Sequence, residues 1–168
     1  DAPIEPASMT KVMSSYVVAD QIANDFLSLD DSVLISEKAW RMEGSKMFIE
    51  QGKRVSVLDL LKGVIIQSGN DATVALAEYV GGTEDGFVDL MNSYAASMGL
   101  SNTLFQNSTG LPDGNHFSSA KDLATMTSLL INNFPETYSL YKEKYYTFNN
   151  IRQPNRNRLL WKDNSSDG

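Results

Sequence analysis

A chain of 168 residues, 42% of them hydrophobic, is long enough for one domain with a real core. Its 14 Lys and Arg against 21 Asp and Glu leave a net charge of −7, which argues against sequence-independent nucleic-acid binding, since that relies on clustered basic residues. The absence of cysteine excludes disulfides, thiolate metal sites and a cysteine nucleophile, and no apolar run approaches the length needed to cross a membrane.

Taken in order, residues 1–5 are too short and polar to form an element, and no signal peptide opens the chain. So abrupt a start suggests an excerpt of a longer protein, one that has shed any export signal. After Pro6, the positions Val12, Met13, Tyr16, Val17 and Ile22 predict a helix over residues 8–24 with one buried face. Residues 29–35 read as a turn into a short strand, and residues 46–57 as an extended, hairpin-like piece. Ser56 caps a helix through Val57, Leu61, Val64 and Ile65 that ends near Gln67. A second helix runs from Ala72 to Tyr79 and stops at Gly81-Gly82. Another spans residues 83–98, with Phe87, Leu90, Met91 and Tyr94 inward. A long polar loop over residues 102–117 follows, of a length often functional in compact domains. A helix over residues 119–132, a shorter one from Pro135 and a strand at Tyr145-Tyr146-Thr147-Phe148 complete the elements.

Three Ser-x-x-Lys patterns occur, at Ser8/Lys11, Ser118/Lys121 and Ser139/Lys142. Alone the pattern is weak, because a helix-start serine and a solvated lysine explain most matches. Ser118 or Ser119 is better read as a helix cap, and Ser139 has no second motif near it. Ser8 and Lys11 share a face at the mouth of the first helix and can touch without help from the rest of the fold. A serine hydroxyl becomes a useful nucleophile when a neighbour takes its proton, and a lysine can do so when desolvation or nearby charge lowers its pKa. The second candidate, Ser68-Gly69-Asn70, is the sole Ser-x-Asn in the chain and lies between two helices. It is either a corner presenting both side chains to one cavity or a plain capping turn. His116, the one histidine, reads as solvated or loop-bracing. A Ser-His-Asp triad has no nucleophile-elbow serine, a His-based zinc site lacks ligands, and no phosphate-binding glycine loop is present. No cofactor is called for.

Pro6-Ala7-Ser8-Met9-Thr10-Lys11, followed 60 residues on by Gln67-Ser68-Gly69-Asn70-Asp71-Ala72, resembles the first two active-site motifs of penicillin-binding proteins and serine β-lactamases. The segments Asn92-Ser93-Tyr94, Met98-Gly99-Leu100, residues 102–110, Tyr141-Lys142-Glu143-Lys144 and Asn155-Arg156-Asn157 further resemble the low-molecular-mass D-alanyl-D-alanine carboxypeptidases. The resemblance implies an α+β fold of the serine β-lactamase/transpeptidase-like class. It implies that Ser8 attacks the carbonyl of a peptidoglycan stem peptide ending in D-Ala-D-Ala and that neutral Lys11 takes its proton. Ser68 would relay that proton to the leaving amine, and Asn70 would hold Lys11 and an amide carbonyl of the substrate. β-Lactam antibiotics, which mimic the D-Ala-D-Ala end, would acylate the same serine. Arg156 would help set the charge that receives the substrate carboxylate.

The family's third motif, Lys-Thr-Gly, and the strands that open the fold are missing. Residues 1–168 are therefore expected to be a partial catalytic domain, mainly its helical part, lacking most of the central sheet. The first helix should then leave Val12, Met13, Tyr16 and Val17 partly uncovered, and the separately expressed segment should aggregate and acylate slowly. The whole protein is expected outside the cytoplasm, periplasmic and inner-membrane associated only through a segment absent here. Two other readings stand beside the carboxypeptidase. A class A β-lactamase would need Glu-x-x-Leu-Asn, which no glutamate here begins; a penicillin-sensing receptor domain would acylate once without turnover.

Overall fold

The computed structural model describes residues 2–168. A single turn of 3-10 helix, Ala7–Met9, leads into α1 (Thr10–Ala23). Strand β1 (Ser32–Leu34), the five-residue helix α2 (Glu37–Arg41) and strand β2 (Arg54–Ser56) follow. Helices α3 (Val57–Gln67), α4 (Asn70–Gly81), α5 (Glu84–Ser97) and α6 (Ala120–Asn133) form the body. Helix α7 (Pro135–Tyr138), a 3-10 turn, the hairpin β3 (Tyr145–Phe148) and β4 (Ile151–Pro154), and a last 3-10 turn at Arg158–Trp161 complete the described chain. The architecture is the helix-rich α+β arrangement expected from the sequence.

The helix starts are fixed by local chemistry. Ser56, Thr83 and Ser119 each accept, through the side-chain oxygen, a hydrogen bond from the backbone N–H three residues on, satisfying a donor that the first turn leaves free. Ser36 does the same for α2, an element the sequence reading did not mark. The extended segment also differs from expectation. Residues 46–57 form no hairpin of their own; β2 instead pairs antiparallel with β1, with Val33 opposite Val55. The cause is Asp71, whose carboxylate accepts hydrogen bonds from the N–H groups of Met47, Phe48 and Ile49 and so takes the place of a strand partner.

Two helices lie at the centre. In α4 every residue from Asn70 to Ala77 is buried, as an Ala-rich helix with little polar surface allows. α1 is buried at Lys11 and from Met13 to Ala19, packed against α3, α4, α5 and α6. Ser14 and Ser15 of α1, Thr73 and Leu76 of α4, and Leu61 and Val64 of α3 line one small cleft, so these three helices meet in the core. This corrects the expectation about the first helix for three of its four residues: Met13 and Val17 are fully buried and Tyr16 nearly so, covered by the chain itself, while Val12 stays partly exposed. One apolar groove runs along α6, lined by Leu123 and Ile131 with Ile4 and Met9 at its edge. No helix among the described residues is long and apolar enough to cross a membrane.

Candidate active site

The 3-10 turn places Ser8 at the surface and Lys11 one turn further in, with the lysine only 4% exposed. Lys11 Nζ lies 3.2 Å from Ser8 Oγ and donates to the Thr109 carbonyl at 2.9 Å. Desolvation, reinforced by the positive charge of Arg156, lowers the Lys11 pKa from 10.5 to about 8. A neutral amine there can keep one N–H on Thr109 O while its lone pair faces the serine hydroxyl, the arrangement a general base needs.

Ser68 closes α3 in the left-handed conformation, φ 59° and ψ 38°, where a residue with a Cβ is strained. Its Oγ is buried without a hydrogen-bond partner, and neither Ser68 nor Asn70 supplies a side-chain cap to α4. No side-chain cap of α4 is formed here. Asn70 is buried; its amide nitrogen donates to Glu43 O at 2.7 Å and its backbone N–H to Ser45 O at 2.7 Å. The site thus brings Ser8 and Lys11 into direct contact, whereas Asn70 grips the 43–45 backbone and it is Thr109 O that holds the lysine. Arg156 is anchored by its N–H on Ile66 O, two residues before Ser68.

The other two Ser-x-x-Lys patterns form no such pair. Ser118 is buried against the Thr103 hydroxyl, Lys121 is exposed, and Ser139 and Lys142 are both exposed. His116 is not solvated: it is a buried brace, with Nε2 at 2.8 Å from Thr10 Oγ1 and Nδ1 accepting from Gln106 N–H. The polar loop matters more than the sequence indicated. Ser14 Oγ donates to Ser108 O at 2.7 Å, and the Ser108 N–H and hydroxyl both reach Glu84, whose other oxygen pairs with Lys38 at 2.7 Å. Burial pushes the Glu84 pKa up, but Lys38 and the two Ser108 donors together hold it below the ordinary value. Thr109 carries no signal in the sequence, because it acts through its backbone carbonyl. Among the described residues no group of three or more His, Asp or Glu is placed to hold a metal ion.

Comparison with known proteins identifies the family. The family profile described as D-alanyl-D-alanine carboxypeptidase matches residues 1–168. The chain belongs to that family. It is 51% identical over 170 aligned residues to the Escherichia coli D-alanyl-D-alanine carboxypeptidase DacC, covering 98% of this chain and 42% of that protein. Penicillin binding protein 5 from Haemophilus influenzae superposes with a TM-score of 0.94 at 48% identity, covering 96% of this chain and 48% of that one. The Francisella tularensis carboxypeptidase DacD superposes with a TM-score of 0.95 at 36% identity, covering 100% of this chain and 53% of that one. The chain therefore spans about half the length of the relatives it matches, and its fold is the helical part of the penicillin-binding, transpeptidase-like class.

Proposed function

We propose that residues 1–168 form the helical part of a serine D-Ala-D-Ala carboxypeptidase domain, in which Ser8 is acylated by the penultimate D-alanine of a peptidoglycan stem peptide. The observation that carries this reading is the desolvated Lys11 amine at 3.2 Å from Ser8 Oγ. Lys11, neutral, takes the hydroxyl proton as Ser8 Oγ bonds to the scissile carbonyl carbon. The carbon–nitrogen bond to the terminal D-alanine breaks, and the proton passes by way of Ser68 to the leaving amine. Ser68 suits a relay because its buried hydroxyl has no partner of its own, a state that native structures rarely tolerate without a role. Water then attacks the acyl-enzyme and restores Ser8. The Met9 N–H is spent on Pro6 O and the Thr10 N–H on Ala7 O and Ser8 O, so the N–H of Ser8 itself is the donor this turn offers to the oxyanion. Asn70, bonded to the 43–45 backbone at the start of α4, is assigned to the substrate side. The same serine takes β-lactams, and the substrate places the whole enzyme in the periplasm or an equivalent extracytoplasmic space.

The test is made on the full-length protein with a diacetyl-Lys-D-Ala-D-Ala type peptide and with penicillin. Released D-alanine together with a penicillin adduct on the peptide containing Ser8 is the expected result. β-Lactam hydrolysis without D-alanine release would make it a β-lactamase, and a stable adduct without either turnover a receptor.

A further inference from the structure

The 108–110 stretch runs along the start of α1 in the opposite direction, meeting it about once per helical turn. Ser108 O accepts from Ser14, Thr109 O accepts from Lys11, and Gly110 packs on Ala7, so closely that a Cβ at Gly110 would sit 1.8 Å from Ala7 O. The stretch returns to the same helical turn as Lys11 through His116, whose ring stands between Thr10 Oγ1 at 2.8 Å and Gln106 N at 3.0 Å. A backbone N–H can only donate, so Nδ1 must carry a lone pair, and the single ring proton sits on Nε2, pointing at Thr10. A second proton would set two N–H groups against each other across 3.0 Å. The His116 ring makes no hydrogen bond to Ser8 or to the Lys11 amine.

We infer that His116 is a positioning residue for the general base: as a neutral imidazole it locks the 106–116 loop onto α1 so that Thr109 O holds Lys11 against Ser8, and its protonation loosens that hold. The inference rests on the reading that Ser8 and Lys11 carry the acyl transfer. The charged groups that share a cavity of about 80 Å³ with the ring are Glu5 and Asp113, and Lys11 follows its partner Thr10 in the chain. Burial lowers the His116 pKa below 6.5 despite the opposing pull of Asp113, so the lock is closed at neutral pH.

The experiment follows the second-order acylation rate of the full-length protein by a fluorescent penicillin as the pH is lowered. Below the Lys11 pKa of about 8 the logarithm of the rate should fall with slope one, because one proton must leave the base. Below the His116 pKa the slope should steepen to two. His116→Gln, a neutral donor to Thr10 that cannot titrate, should be slower by about tenfold at neutral pH for the lost Gln106 contact and should keep slope one throughout. A wild-type slope that never steepens, or steepening that survives in His116→Gln, overturns the inference. Should the variant fold poorly, ¹⁵N NMR of the wild-type ring, assigned through its proximity to the Gln106 amide, gives the same decision. An Nε2–H tautomer titrating below 6.5, with faster exchange of the Gln106 amide once protonated, supports the lock; an Nδ1–H tautomer refutes it. Undiminished penicillin reaction in Ser8→Ala would instead overturn the proposed nucleophile, and the NMR measurement would still decide the role of His116.

Discussion

Replacing Lys11 by methionine in the full-length protein should destroy acylation and stabilise the fold. Lys11 is 4% exposed, and its pKa falls from 10.5 to about 8 as the chain folds. Between those values the unfolded state binds more protons than the native one, so stability rises with pH across that window. The penalty is fully present below about pH 8 and amounts to roughly 3 kcal/mol, at about 1.4 kcal/mol per tenfold change in proton affinity. Lys11→Met fills the same space without a charge. It leaves the Thr109 carbonyl without its donor, which costs about 1 kcal/mol, so a net gain of about 2 kcal/mol is expected at pH 7. Urea unfolding of parent and variant at a series of pH values measures this, and the gap should close as the pH approaches 10.5. Penicillin acylation of the same samples should fall by about a thousandfold or more. A parent that is more stable than the variant at pH 7, with a gap indifferent to pH, would mean that the site stabilises the ammonium and that Lys11 is no base.

Three further outcomes follow from named contacts. Ser68→Gly should gain about 1 kcal/mol in thermal unfolding by relieving the left-handed strain, Ser68→Ala should gain less because it keeps the Cβ, and both should acylate more slowly. A Ser68→Gly that gains no more than Ser68→Ala would show that the conformation carries no strain. Gly110→Ala drives a Cβ into Ala7 O next to the proposed nucleophile Ser8, so the acylation rate should drop about a hundredfold, and an unchanged rate would mean that the loop does not set the position of Ser8. In the separately expressed segment, Ile131→Lys should reduce self-association measured by light scattering, because the exposed apolar groove lies along α6; unaltered scattering would locate the sticky surface elsewhere.

What the sequence made legible was the local part of the fold. Periodicity and caps act within one or two turns, which is why Ser56, Thr83 and Ser119 mark their helices to within a residue. Helix α2 escaped because five residues carry too little period to register. Strand β4 escaped for another reason: Ile151-Arg152-Gln153-Pro154 contains a proline and buries only Gln153, yet Asn149-Asn150 before it, both at positive φ, is the two-residue turn that joins it to β3. The absence of a strand over residues 47–49 could not be read locally, since the competitor for those N–H groups, Asp71, lies more than twenty residues away.

The same division runs through the candidate site. Proximity of Ser8 and Lys11 is written in a three-residue spacing and needs only a helical turn. Reactivity is not, because a lysine on an open helix would stay charged at neutral pH and could accept nothing. What depresses its pKa is burial under the 108–110 stretch and the field of Arg156, and both arrive from the far half of the chain. The hold on the amine comes from a backbone carbonyl, a group every residue possesses, so Thr109 leaves no mark in the sequence. The visible trace of that arrangement is indirect: a glycine where the loop must pass within contact of Ala7 O, and a lone histidine that stands between two neutral partners rather than in water. A motif of two residues therefore specifies the proposed reacting pair, while the loop that looked merely polar supplies the buried environment around Lys11.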